Sequence, residues 1–104
     1  MNDIVKRLFE IKEKPGAYIG RKSLTYLFFY ILGYHDREYD IGKSVPRLLP
    51  GFQEFIQERY KITSCHDWAS IILFYSSSEE EAFDRFFELL DEYWTMYPER
   101  AERP

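Results

Sequence analysis

Apolar positions in this chain recur every three or four residues over most of its length, the spacing that gathers side chains on one face of an α-helix. The strongest case runs from Ser78 to Tyr97. At 100° per residue, Phe83, Phe86, Phe87, Leu90, Trp94 and Tyr97 share one side, while Glu80, Glu81, Asp84, Glu88, Asp91 and Glu92 gather on the other. Ser77 and Ser78 are both suited to cap this helix, since each has a glutamate three residues on, Glu80 and Glu81 respectively. Acids in the first turn also complement the helix dipole. Pro98 closes the helix, and residues 99–104 are expected to form a frayed, flexible tail.

The same reading places a first helix from Asn2 or Asp3, either of which can cap it, to about Glu13. Ile4, Leu8 and Ile11 would lie on one face, with Val5 and Phe9 beside them, and Lys14-Pro15-Gly16 would stop it. Lys14 to Gly20, KPGAYIG, reads as a rigid turn followed by a short extended piece, with Tyr18 and Ile19 tucked against a helix. From Ser23 to Tyr34 the chain is apolar nearly all round, which predicts a helix buried on most sides and central to the fold. Gly33 is expected to end it or to bring a neighbouring backbone close.

Residues 35–49 show no sustained period and contain Gly42 and Pro46, so they read as loop with at most a helical turn. A fourth helix, about Pro50 to Tyr60, sets Phe52, Phe55, Ile56 and Tyr60 inward and Gln53, Glu54, Gln57 and Glu58 outward. Ser64 to Tyr75 has strand-like content in ASIILFY. However, Trp68, Ile71, Ile72 and Tyr75 fit a helical face, Ser64 followed by Asp67 resembles a helix start, and no partner strand is evident, so helix is favoured. The expected architecture is one all-α domain of about five helices around the apolar helix of residues 23–34. A small two-stranded ribbon near residues 14–21 or 40–49 would be compatible with it.

At 104 residues the chain is long enough for one core and too short for two. Its 19% aromatic content lets few side chains fill that core, and its nine tyrosines tolerate a half-exposed binding surface. The net charge of −4 is unevenly spread. Residues 1–64 hold eleven Lys/Arg against eight Asp/Glu, +3, whereas residues 65–99 hold Arg85 alone against nine acids, −8. An acidic end of this kind attracts basic partners and repels nucleic acid, and the basic residues of the first part are scattered among acids without a stripe or stacking motif. Charges interrupt the first residues, and no apolar stretch reaches a membrane span, so a cytoplasmic location is expected.

Catalytic chemistry has little to stand on. Cys65-His66-Asp67 are consecutive, and neighbours on a helix or strand point in divergent directions, so they do not assemble a nucleophile, base and orienter. One cysteine and two histidines make no metal motif. A carboxylate stripe on an exposed face is hydrated, unlike a general acid held in a dry pocket. No enzyme activity, cofactor or metal is expected.

Two resemblances bear on function. KPGAYIG, Lys14 to Gly20, looks like an element near the start of the ATPase domain of type II topoisomerases, but FFYILGYHD offers no Asn to serve the metal and the glycines do not cluster around a nucleotide. A longer run is more informative: KPGAYIG, then Ser23, Leu27 and Leu32-Gly33-Tyr34, then GFQEFI, then Trp-Ala-Ser-Ile-Ile, then SSEEEAFDRFFELLDEY. In this order the pieces, spanning roughly residues 10–95, are similar to small bacterial proteins found beside polymorphic toxins, including contact-dependent growth inhibition systems. That resemblance implies a cytoplasmic, non-enzymatic immunity protein that binds and neutralises a cognate toxin domain; an acidic face that occupies a phosphate-binding site would suit a nuclease toxin. The contact face expected from the charge pattern is Glu80, Glu81, Asp84, Glu88, Asp91 and Glu92. A regulatory or adaptor domain that binds a basic protein unrelated to toxins stays open as the alternative.

Overall fold

The computed structural model describes residues 3–40, 51–64 and 66–100, and among them every regular element is helical. The elements are α1 (Asp3–Glu13), α2 (Pro15–Tyr18), α3 (Leu24–Asp40), α4 (Phe52–Arg59), α5 (Trp68–Phe74) and α6 (Glu79–Met96), followed by a 3₁₀ turn at Pro98–Arg100. The all-α, one-core architecture expected from the periodicity is the one observed. No described residue of 14–21 is a strand, and of the second ribbon position, residues 41–49 lie outside the described residues.

The hub is α6. It buries Ala82, Phe83, Phe86, Phe87, Leu89, Leu90, Tyr93 and Trp94, a face broader than the six-residue stripe read from the sequence. α3, α4 and α5 all pack on it. Phe52 of α4 lies at the meeting point, edge-on to Trp68, Phe86 and Tyr93 at centroid separations of 5.3, 5.7 and 5.5 Å. Trp68 in turn stacks on Phe86 at 5.0 Å. Such ring pairs add specificity to the burial, because edge-to-face and offset geometries fix how the helices seat.

The predicted centre, α3, is enclosed on one face only. Leu24, Leu27 and Ile31 are buried, but Tyr26, Phe29 and Leu32 are 48, 64 and 42% exposed. Its near-continuous apolar sequence therefore overstates its burial, since a helix of this size reaches its neighbours with one side. It also runs on to Asp40, through residues expected to be loop. Gly33 does not stop it, and nothing lies within 4 Å of a Cβ built there. With no packing demand and no positive φ, it is simply a poor helix former tolerated in a long helix.

KPGAYIG is a helical turn rather than an extended piece. Pro15 occupies the first turn, where its missing N–H costs nothing, and the Ile19 amide donates to the Pro15 carbonyl at 2.9 Å. Gly20, at φ 85°, then makes the left-handed step that a side chain would resist. Tyr18 and Ile19 pack against the core, as expected, and the Tyr18 hydroxyl donates to Glu10 at 3.1 Å.

α4 starts at Phe52 behind Gly51, whose φ of 83° sets the entry. Two of its outward glutamines are not solvent residues: Gln53 donates to the His66 carbonyl at 2.9 Å and accepts from the Trp68 amide at 2.8 Å, and Gln57 donates to the Ser64 carbonyl at 2.9 Å. They supply partners for the backbone of the connector, which has no ladder of its own. α5 starts at Trp68, with Asp67 rather than Ser64 as its cap; the Asp67 carboxylate accepts from the Ser70 amide at 2.8 Å.

One carboxylate locks the hub to α3. Glu79, in the first turn of α6, accepts from the Ser23 hydroxyl at 3.1 Å, the Thr25 amide at 2.9 Å and the Thr25 hydroxyl at 2.6 Å. Ser23 caps α3 itself, accepting from the Tyr26 amide at 3.2 Å. Partial burial would raise the Glu79 pKa, but the donors from Thr25 and Ser23 outweigh it and hold it below the usual glutamate value.

Two measurements follow from these contacts. Glu79→Gln should cost about 1–2 kcal/mol at neutral pH in chemical denaturation, from the loss of charge-assisted bonds at a partly screened site. Because the folded-state pKa is depressed, that contribution is present above the unfolded-state pKa and disappears as pH falls through the folded one, so the two proteins should converge in acid; a gap that persists there would contradict the charged clamp. Gly33→Ala should instead stabilise by about 0.5–1 kcal/mol, since the helix gains propensity and the methyl meets nothing.

Candidate functional site: an acidic groove between α1 and α6

The α6 N-terminus is set by Ser78, which accepts from the Glu81 amide at 3.1 Å, so Ser78 and not Ser77 is the cap. Glu81 reaches back to Ser77, accepting from its amide at 3.2 Å and from its hydroxyl at 2.5 Å. These Ser77 hydrogen bonds lower the Glu81 pKa. Starting from this cap, the helix turns Asp84, Glu88 and Asp91 to the side facing α1.

The six acids named from the sequence thus separate into different tasks. Glu81 is engaged in capping. Glu92 pairs with Arg59 at 2.9 Å and ties α6 to the end of α4. Asp84 holds Lys22 at 2.8 Å, with Glu80 3.9 Å from the same ammonium. The Lys22 pKa is raised, chiefly by the hydrogen bond with Asp84. Glu88 pairs with Arg85 one turn away at 2.9 Å. The face is therefore a partly compensated array and not a bare row of carboxylates.

Asp84, Glu88 and Asp91 are brought together along a groove of about 710 Å³ between α1 and α6. Its other walls are Phe9, Lys12, Phe87, Leu90 and Trp94. Phe9 stacks on Trp94 at 5.9 Å with a 21° interplanar angle, and lies 6.3 Å from Phe87. The Lys12 ammonium sits 5.5 Å from the Phe87 ring centroid and 5.9 Å from that of Phe9. The groove combines an anionic rim with a floor of Phe87, Leu90 and Trp94 that is itself almost wholly buried.

The sequence reading missed the α1 half of this site. Phe9 and Lys12 are one turn apart at the edge of the α1 core face, a visible signal that a second wall lies beside Leu8 and Ile11. It likewise assigned Phe87 and Trp94 to the core alone, whereas each also lines the groove.

The other candidate chemistry does not come together. Asp67 spends its carboxylate on Ser70, and exposed His66 places Nδ1 2.7 Å from the Ser64 hydroxyl within a loop; Cys65 lies outside the described residues. Among the described residues no group of three His, Cys, Asp or Glu is arranged to hold a metal ion, and no helix is long and apolar enough to cross a membrane. No protein-family model, curated protein or solved structure matches this chain.

The division of labour is testable by thermal unfolding. Glu81→Ala removes the Ser77 contacts and should lower the melting temperature, while Asp84→Asn, which weakens only an exposed ion pair with Lys22, should leave it close to that of the parent. Equal losses from both would show that the rim is structural.

Proposed function

We propose that the chain is a non-enzymatic binding protein that takes a basic protein partner on its α6 acidic face, and that this partner is a cognate toxin domain. The observation that carries the reading is the convergence of Asp84, Glu88 and Asp91 on a groove floored by Phe9, Phe87 and Trp94. The carboxylate rim supplies steering and register for a basic partner, and the partly exposed Phe9 ring gives apolar contact at its edge, Phe87 and Trp94 being buried within the fold beneath it. The toxin assignment comes from the resemblance to immunity proteins carried by the segments between residues 10 and 95. An acidic inhibitor suits a toxin whose working surface is basic, as a surface that holds phosphates must be.

The test is titration calorimetry of the chain against the toxin domain encoded directly upstream of it, at two salt concentrations. Tight binding that weakens with salt is expected, together with a loss of affinity of about 10²-fold or more on reversing Asp84, Glu88 and Asp91 to Lys. Unchanged affinity and salt dependence in the reversed variant would remove the acidic face from the interface. Absence of binding to any neighbouring toxin, with retained binding to another basic protein, would favour an adaptor instead.

A further inference from the structure

We infer that the end of α5 is a self-association surface, through which two copies of the chain pair about a two-fold axis, each seating its Phe74 in the pocket beside the other copy's Phe74. The inference goes beyond the reading of the α6 face and uses separate residues, so either can fail without the other.

The projection is an aromatic ring held out from the fold. Phe74, the last residue of α5, is 80% exposed, more than any other large apolar side chain among the described residues, and Tyr75 beside it is 50% exposed. Both are held in place. Tyr75 stacks on Tyr60 at 4.8 Å with a 14° interplanar angle, and Phe74 stands edge-on to Tyr75 at 5.0 Å. Ser76 closes the helix end that carries them: its amide donates to the Leu73 carbonyl at 3.1 Å and its hydroxyl to the Ile72 carbonyl at 2.8 Å. An aromatic side chain has few torsions to freeze, so covering this one costs little conformational entropy.

The recess lies alongside. A pocket of about 240 Å³ is lined by Ile62, Ser64 and His66 from the connector before α5 and by Ser70, Ile71 and Phe74 of α5. His66, Ser70 and Phe74 are exposed, which leaves the pocket open to a visitor. Its polar side chains already have partners within the chain: Ser64 Oγ is 2.7 Å from His66 Nδ1, and the Ser70 hydroxyl donates to Asp67 at 3.1 Å. What remains for an occupant is apolar contact. A space of about 150 Å³ is enough to hold a benzene ring, so a phenylalanine ring fits.

A second copy of the chain is the occupant that this patch suits, for two reasons. An isologous interface is one patch meeting itself, so it needs projection and recess side by side, and Phe74 is at once the projection and a wall of the recess. The chain carries a net charge of −4, yet none of the residues lining the pocket is Asp, Glu, Lys or Arg, so two copies meet here without opposing like charges. The exposed parts of Phe74 and Tyr75 amount to a few hundred Å² per copy, which places the pair below about 1,200 Å² in total, among weak interfaces that dissociate on dilution.

Sedimentation velocity of the full chain from about 5 to 500 µM should therefore show monomer giving way to dimer as concentration rises. Phe74→Ser should weaken the dimer about tenfold or more, and Ser70→Phe, which fills the pocket and leaves Phe74 in place, should do the same. Phe29→Ser, which removes a 64% exposed ring from α3, should leave the dimer unchanged. Added salt should preserve or tighten the dimer, because it screens repulsion between copies and meets no ion pair in the pocket, the opposite of its expected effect on a partner held by the α6 acids. Circular dichroism confirms that each variant is folded. A chain that stays monomeric throughout overturns the inference, including where Phe74 then proves to hold an unrelated protein. So does a dimer indifferent to both Phe74→Ser and Ser70→Phe, or one lost equally on Phe29→Ser.

Discussion

Removing the aromatic side of α6 from water is the constraint on which the rest of this protein depends. Seven large side chains, Phe83, Phe86, Phe87, Leu89, Leu90, Tyr93 and Trp94, are buried along one helix of eighteen residues. Each contributes roughly 2 kcal/mol relative to exposure, a total the helix could not realise alone because it has no second layer of its own. α3, α4 and α5 supply that layer directly. α1 does so through side chains, bringing Phe9 against Phe87 and Trp94. The polar contacts then fix angles: Glu79 anchors the first turn of α6 to the start of α3, and Arg59 with Glu92 anchors its later part to α4.

The groove is a by-product of the same packing. Phe87, Leu90 and Trp94 line it while staying only 6, 1 and 3% exposed, so they belong to the core and form the bottom of the groove beside Asp84, Glu88 and Asp91. A helix that is simultaneously core and surface puts apolar floor and charged rim next to each other without any loop to build them. The proposed recognition surface therefore lies on the most extensively buried helix of the fold, which would restrict the geometry in which a partner is met.

Much of this was legible in the residues. Helical periodicity placed α1, α4, α5 and α6 within a few residues of their observed limits, and Ser78 was among the capping residues read, whereas the start of α5 was read at Ser64 and is capped by Asp67. KPGAYIG misled because proline and glycine signal a turn without saying whether its carbonyls bond to the next residues; Pro15 with Ile19 close a helical turn. α3 misled differently. Its apolar content is consistent with full enclosure, yet Tyr26, Phe29 and Leu32 have no described neighbour enclosing them, since burial depends on how many helices can reach one side. The six acids were correctly placed on one exposed arc, but their separate tasks depend on residues remote in sequence, such as Lys22 for Asp84 and Arg59 for Glu92.

What the amino-acid sequence by itself determined is the helical class, the single core, the two-sided character of α6 and the concentration of negative charge toward the C-terminal part, because these follow from local periodicity and composition. Only the tertiary structure decided that Glu79 is the clamp, that Glu81 and Glu92 serve the fold, and that Phe9 and Lys12 join Asp84, Glu88 and Asp91 in one groove. The reason is distance along the chain: these associations join positions about 30 to 80 residues apart or depend on competition for a single hydrogen-bond donor, and a local pattern carries no record of which remote helix will be its neighbour.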